Sequence, residues 1–164
     1  MPTIFHLDDP DFFTHGPAWA EWVRVGTEAL GMKISNFVLG DSEDREAAVA
    51  SLLLLPPGHR LPRHAHDCYR AEVIVRGSLQ VGDTVLHPGD VSFSAPHEAY
   101  GPHIAGPTGS LSVEIFSKAA AILAEPDPAG PQPEDLAEMK VFENAVLAWR
   151  KDNADLHKIN KRLA

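Results

Sequence analysis

Between residues 34 and 117 the chain alternates short apolar runs with turn residues, a rhythm that predicts strands rather than helices. Residues 34–39 read as a strand closed by the Gly40-Asp41-Ser42 turn signal. An acidic loop, 41–46, leads into the nearly all-apolar run 47–55, bounded by Pro56-Pro57-Gly58. At nine residues that run suits a buried strand better than a helix. Residues 70–76 predict a strand, Gly77 interrupts it, and 78–81 lead to a two-residue Gly82-Asp83 hairpin turn and a strand at 84–86. His87-Pro88-Gly89-Asp90 is a further turn before the strand 91–94, and 95–109 read as loop. Residues 110–117 alternate cleanly, with Leu111, Val113 and Ile115 on one face and Ser112, Glu114 and Phe116 on the other. Short strands punctuated in this way predict an all-β sandwich or barrel.

The flanks follow other patterns. Residues 1–32 are irregular and aromatic-rich (Phe5, Phe12, Phe13, Trp19, Trp22) and read as an arm, with a short helix or strand around 18–25. Residues 125–133, Glu-Pro-Asp-Pro-Ala-Gly-Pro-Gln-Pro, read as a stiff connector that continues neither strand nor helix. Beyond it Leu136, Met139, Phe142, Val146 and Trp149 recur at three- and four-residue spacing and predict an amphipathic helix. Its apolar stripe suits its own barrel or a second subunit equally. The division is an N-terminal arm (1–32), a β region (33–118), and a connector with a C-terminal helix (119–164), forming one domain overall.

Composition narrows the function classes. With 164 residues, 44% of them apolar, the chain is long enough for one buried core. Lys and Arg number 14 against 23 Asp and Glu, a formal charge of -9, which argues against nucleic acid or an anionic membrane surface as partner. The one cysteine, Cys68, forms no internal disulfide. The first nine residues lack the basic and apolar regions of a signal peptide, and the apolar run 52–57 is too short to span a bilayer. The expectation is a cytoplasmic protein with no membrane and no nucleic acid among its partners.

The chemistry concentrates in 57–77. His64 and His66, two apart on an extended strand, point to the same side and make a ready pair of metal ligands. The plain alternative is two histidines on a surface strand. Arg70 and Glu72 share a face on the next strand by the same parity, and His97 and His103 lie further along, where a barrel brings one of them alongside. Glu72 reads as a ligand, a catalytic base or an ion-pair partner of a neighbouring arginine. Arg70 reads as a buried ion-pair partner or as the anchor of a ligand's anionic group. Cys68 reads as a small buried hydrophobe, and His6, His15, His59, His87 and His157 as surface or packing residues.

These residues resemble the cupin superfamily. Its first motif (Gly, five residues, His-x-His, three or four residues, Glu, six residues, Gly) is similar to Gly58, His64-Ala65-His66, Arg70 and Gly77. The second is similar to Pro88-Gly89-Asp90, Pro96 and Gly101-Pro102, and the resemblance covers roughly 30–118. It implies an RmlC-like double-stranded β-helix barrel, or jelly roll, with the arm and the C-terminal helix added, and a homodimer paired through such extensions. Two positions depart from the pattern: Arg70 stands where the motif has its ligand Glu, and Tyr100 where many cupins have a ligand His before Gly-Pro.

The resemblance implies a divalent transition metal on His64 and His66, completed from Glu72, His97, Tyr100 or His103, with His103 the first choice. Iron leads among the metals such a site accepts, with Zn, Ni, Mn, Co or Cu the alternatives. The expected activity is that of a dioxygenase-like oxidoreductase on a small oxygen-bearing substrate, with Glu72 and Tyr100 catalytic and Arg70 holding the substrate. A non-catalytic binding or sensor cupin and an O2-independent isomerase or lyase are the alternatives, since the fold does not choose the chemistry.

Overall fold

The computed structural model describes residues 2–154; His157, read from the sequence as a surface or packing residue, lies outside them. The strands are β1 (Lys33–Val38), β2 (Val49–Leu55), β3 (Arg60–Leu61), β4 (His64–Ala65), β5 (Arg70–Val81), β6 (Thr84–Leu86), β7 (Val91–Ser94), β8 (His103–Phe116) and β9 (Glu125–Pro126). Two helices flank them, α1 (Glu21–Ala29) and α2 (Leu136–Asp152). Among the described residues no helix is long and apolar enough to cross a membrane.

One sheet carries the order β1-β2-β8-β5-β6, with β3 added on β8 and β7 on β5. The pairs are antiparallel, and the long strands β5 and β8 form the spine, running from Arg70↔Phe116 to Val81↔His103. Alternation does the sorting: in β2, Val49, Ser51, Leu53 and Leu55 are buried while the residues between them are half-buried. In β8 the interior face carries Ser112, Glu114 and Phe116, whereas Ile115 is 46% exposed. The interior here is the more polar of the two faces. One apolar cluster gathers Val49, Cys68, Phe116, Ala119 and Ile122; a second gathers Met32, Leu53, Leu55, Ile74, Leu79 and Ala105.

Three sequence expectations are corrected. Residues 70–81 form one strand rather than two, because register shifts at Ile74/Arg76 and Gly77/Leu79 absorb the glycine as a bulge. Gly77 has φ +76°, and a Cβ there would stand 2.0 Å from the carbonyl oxygen of Gly109. The loop expected over 95–109 ends at His103, where β8 begins, since pairing with β5 and β3 supplies the hydrogen bonds that local composition did not suggest. The proline-rich connector contributes β9, which pairs with β4 through His64↔Pro126 and Ala65↔Glu125; proline is tolerated on so short an edge strand.

The arm engages its own chain: the Ser35 hydroxyl donates to the Phe12 carbonyl at 2.5 Å, and the Asn36 amide donates to the His15 carbonyl. Helix α2 packs on α1 of the same chain, where the missing side chain of Gly26 makes room for the Phe142 ring. Arg60 on β3 donates to the buried Asp135 at 2.8 Å and so ties the start of α2 to the barrel.

Candidate active site

The histidine segment is short extended chain held from both sides. His64 and Tyr100 exchange backbone hydrogen bonds at 3.2 and 2.9 Å, and the His97 amide donates to the His66 carbonyl. That pairing draws His64, His66 and Tyr100 together, with ring centroids 5.1 Å apart for the two histidines and 4.9 Å apart for His64 and Tyr100. His103, at the start of β8, lies 5.6 Å from His64 and 5.3 Å from Tyr100.

Hydrogen bonds fix two of the imidazoles. His64 Nδ1 lies 2.8 Å from the Pro62 carbonyl and His66 Nδ1 lies 2.5 Å from the Ala121 carbonyl. A carbonyl only accepts, so each Nδ1 carries the proton and each Nε2 keeps its lone pair. Burial holds both rings neutral. His66 is pushed down to about 3 by burial first and then by the neighbouring His64; the Ala121 carbonyl opposes only weakly. His64 is lowered by burial, with the Pro62 carbonyl opposing and Arg70 adding. His103, only 1% exposed, is lowered well below the usual range by burial and then by Arg70, and neither of its ring nitrogens has a hydrogen-bond partner.

Beneath them lies an ion cluster. Arg70 Nη2 stands 2.9 Å from Glu72 Oε2 and 2.6 Å from Glu114 Oε1, and the guanidinium sits 4.7 Å from the Tyr100 ring centroid. Burial opposes the charge of Arg70, but Glu114, Glu72 and Tyr100 outweigh it and the guanidinium stays protonated. One cation cannot balance two buried carboxylates; burial, with the nearby Glu72 adding, raises Glu114 despite Arg70. Burial likewise raises Tyr100 well above the usual phenol range, keeping its hydroxyl protonated. The Tyr100 hydroxyl, Glu72 Oε1 and Arg70 Nε are buried without hydrogen-bond partners. Glu72 Oε2 lies 4.0 Å from His103 Nε2 and receives a 3.4 Å hydrogen bond from Ser92.

The candidates named from the sequence thus fall into two groups. His64, His66, His103, Tyr100, Arg70 and Glu72 come together. His97 does not: its side chain is 63% exposed and held by Glu125 and Asp67 outside the barrel. Arg70, expected to take a ligand's anionic group or to be a buried ion-pair partner, meets two protein carboxylates through Nη2 and is not part of the cavity wall. Glu114 was missed, although an acidic residue alternating with Ser112 and Phe116 in an apolar strand signals an interior position. The role of the helices was missed as well. A cavity of about 440 Å³ opens above the histidines, walled by the barrel's Leu53 and Leu61 and by Trp22, Val23, Met139 and Phe142 of α1 and α2.

For a metal, the donor chemistry fits. Two anchored neutral imidazoles present free Nε2 lone pairs, a third buried imidazole lacks any partner, and backbone acceptors behind metal-binding histidines are the usual means of orienting them. Among the described residues, no group of three His, Cys, Asp or Glu side chains converges tightly enough to hold an ion as arranged.

No protein-family model matches the sequence, and no curated protein matches it. Solved structures do. The polyketide cyclase RemF from Streptomyces resistomycificus is similar at 16% identity and a TM-score of 0.50, over 70% of this chain and 83% of that one. An RmlC-like cupin from Shewanella frigidimarina is similar at 24% identity over 65% of this chain and 81% of that one, with a TM-score of 0.44. A structure of Rhodobacter sphaeroides SigE in complex with the anti-sigma ChrR is similar at 17% identity and a TM-score of 0.45 over 52% of this chain, which spans 45% of that chain's length. The fold is a cupin-type jelly-roll barrel with a C-terminal helix.

Proposed function

We propose that the protein is a metal-dependent enzyme acting on a small oxygen-bearing organic molecule, with His64, His66 and His103 holding a divalent transition metal. The observation that carries this reading is the pair of Nδ1–H bonds from His64 and His66 to backbone carbonyls, which leaves two Nε2 lone pairs free at the inner end of a small-molecule cavity. When bound, the metal supplies a Lewis acid that polarises a substrate oxygen and, as iron, a centre for O2 chemistry. On this reading the activity is that of a dioxygenase.

The chain's own groups do the rest. Tyr100, protonated and without a partner for its hydroxyl, lies against His64 and His103 behind the cavity wall and holds a proton beside the metal ligands. Glu72, whose Oε1 is free of partners, also lies behind the wall, 4.0 Å from His103 Nε2, and is the buried base beside the site. Arg70 offsets the charge of Glu72 and Glu114 rather than gripping the substrate. The apolar walls exclude water from the histidine end.

O2 uptake by iron-loaded protein, offered diketones, catechols and hydroxy acids, tests the oxygenase reading. Uptake with one of these classes, abolished in a folded His64→Ala variant, is the expected result. Metal-loaded protein that turns over a substrate without consuming O2 would shift the reading to an isomerase or lyase. One observation favours a non-catalytic binding cupin as the second reading: a cation, Arg70, fills the position of the motif's ligand Glu.

A further inference from the structure

The cavity has an asymmetry that the histidine site alone does not explain. Its inner end carries the polar groups of His64, His66, His103 and Glu114, while the remaining wall is apolar apart from Thr27, Glu138 and Glu143. The volume, about 440 Å³, lies near the lower end of the roughly 300–1,000 Å³ of small-molecule pockets. Part of the apolar wall comes from the helices outside the barrel. Gly26 lets the Phe142 ring lie against the backbone of α1, where a Cβ would stand 2.2 Å from the ring, and Trp22 meets the same ring edge-on at 6.4 Å. Phe142 is thereby fixed as a wall.

The charges are as one-sided as the polarity. No Lys or Arg is among the described residues lining the cavity, and Arg70 is committed to two carboxylates. Glu114 stands at the inner end, and Glu138 and Glu143 of α2 line the cavity too. A carboxylate or phosphate there would lose water with no lysine or arginine in the wall to replace it, and with Glu138 and Glu143 adding negative charge.

We propose that this cavity takes an uncharged, largely apolar ring molecule that enters with a hydroxyl or carbonyl oxygen leading toward His64 and His66, and that α1 and α2 form the wall that selects it. The inference rests on the reading of the histidine end as the reactive end, but its test needs no metal. Of the substrate classes named above, the cavity disfavours the hydroxy acids, and it admits a phenol, ketone or enol of one or two rings.

Isothermal titration of chelator-treated protein with 2-naphthol and with 2-naphthoate at pH 8 makes the comparison, since the two probes differ mainly in charge. Saturable binding of 2-naphthol at one site per chain is expected, with 2-naphthoate weaker by about tenfold or more. Filling the wall from either helix, by Met139→Trp or separately by Val23→Trp, is expected to weaken 2-naphthol by about tenfold or more with the circular dichroism spectrum unchanged. Equal binding of both probes, no saturable binding of 2-naphthol, or unchanged affinity in the folded tryptophan variants would overturn the proposal. Selective naphthol binding by a protein that takes up no metal would sink the enzyme reading and leave this one standing.

Discussion

Arg70 on β5 reaches its diagonal neighbour Glu114 on the adjacent strand β8, Nη2 to Oε1, at 2.6 Å. The same nitrogen lies 2.9 Å from Glu72, so one guanidinium holds two carboxylates in a space where Arg70 and Glu72 are 2% and 0% exposed. Where the resembling motif has a glutamate, this chain has a cation, and negative charge is supplied from the neighbouring strand instead.

The cluster's energetics follow. Arg70→Met leaves two buried carboxylates without a counter-charge and is expected to cost about 3–5 kcal/mol, read from the urea midpoint. Adding Glu72→Gln and Glu114→Gln removes the unpaired charges and is expected to recover most of that loss. A single variant as stable as the parent would mean that the guanidinium is not what holds the carboxylates.

Gly77 is the motif's closing glycine, and the structure gives it a physical reason. With φ +76° and the Gly109 carbonyl oxygen 2.0 Å from a would-be Cβ, Gly77→Ala combines left-handed strain with a backbone clash. A loss of about 2–4 kcal/mol is expected. Gly58→Ala is the control: it shares a positive φ, but nothing lies within 4 Å of its Cβ, so only the smaller strain cost is expected. Equal losses in the two variants would contradict the clash.

The buried histidines set an acid limit. His66 has a folded value of about 3 against an unfolded value of 6.5, so the unfolded chain binds the extra proton between those limits. Its contribution is fully present above pH 6.5 and is lost as pH falls toward 3, by about 1.4 kcal/mol per pH unit. His64 and His103 are shifted the same way. His97, raised by Glu125, and Glu114, raised by burial, work in the opposite direction. Comparing chelator-treated parent with His66→Gln isolates one histidine. The slope of stability against pH below 6.5 is expected to flatten in the variant, and parallel slopes would mean that His66 is not buried neutral.

Period-two alternation and the turn signals made most strands legible, because those patterns are local. Residues 84–86 and 91–94 form the expected strands, and the buried run 47–55 is β2 from Val49 onward. What stayed hidden was set by distant partners: the first half of β8 exists through pairing with β5 and β3, and β9 through β4. The His64–His66 pair was legible from its spacing. For Glu114 the alternation signalled only an interior position, because its ion pair depends on Arg70, a diagonal neighbour on a strand 44 residues away in the chain. The cavity was least legible of all, since helices at opposite ends of the chain meet over the barrel to form its wall.

Elemental analysis of the protein after reconstitution with iron, zinc or nickel, beside a His64→Ala/His66→Ala variant, tests the central claim most directly. About one tightly held metal per chain in the parent, lost in the folded double variant and weakened by His103→Ala, is the predicted result. A parent that retains no metal, or a double variant that retains it fully, would contradict a metal centre on these histidines.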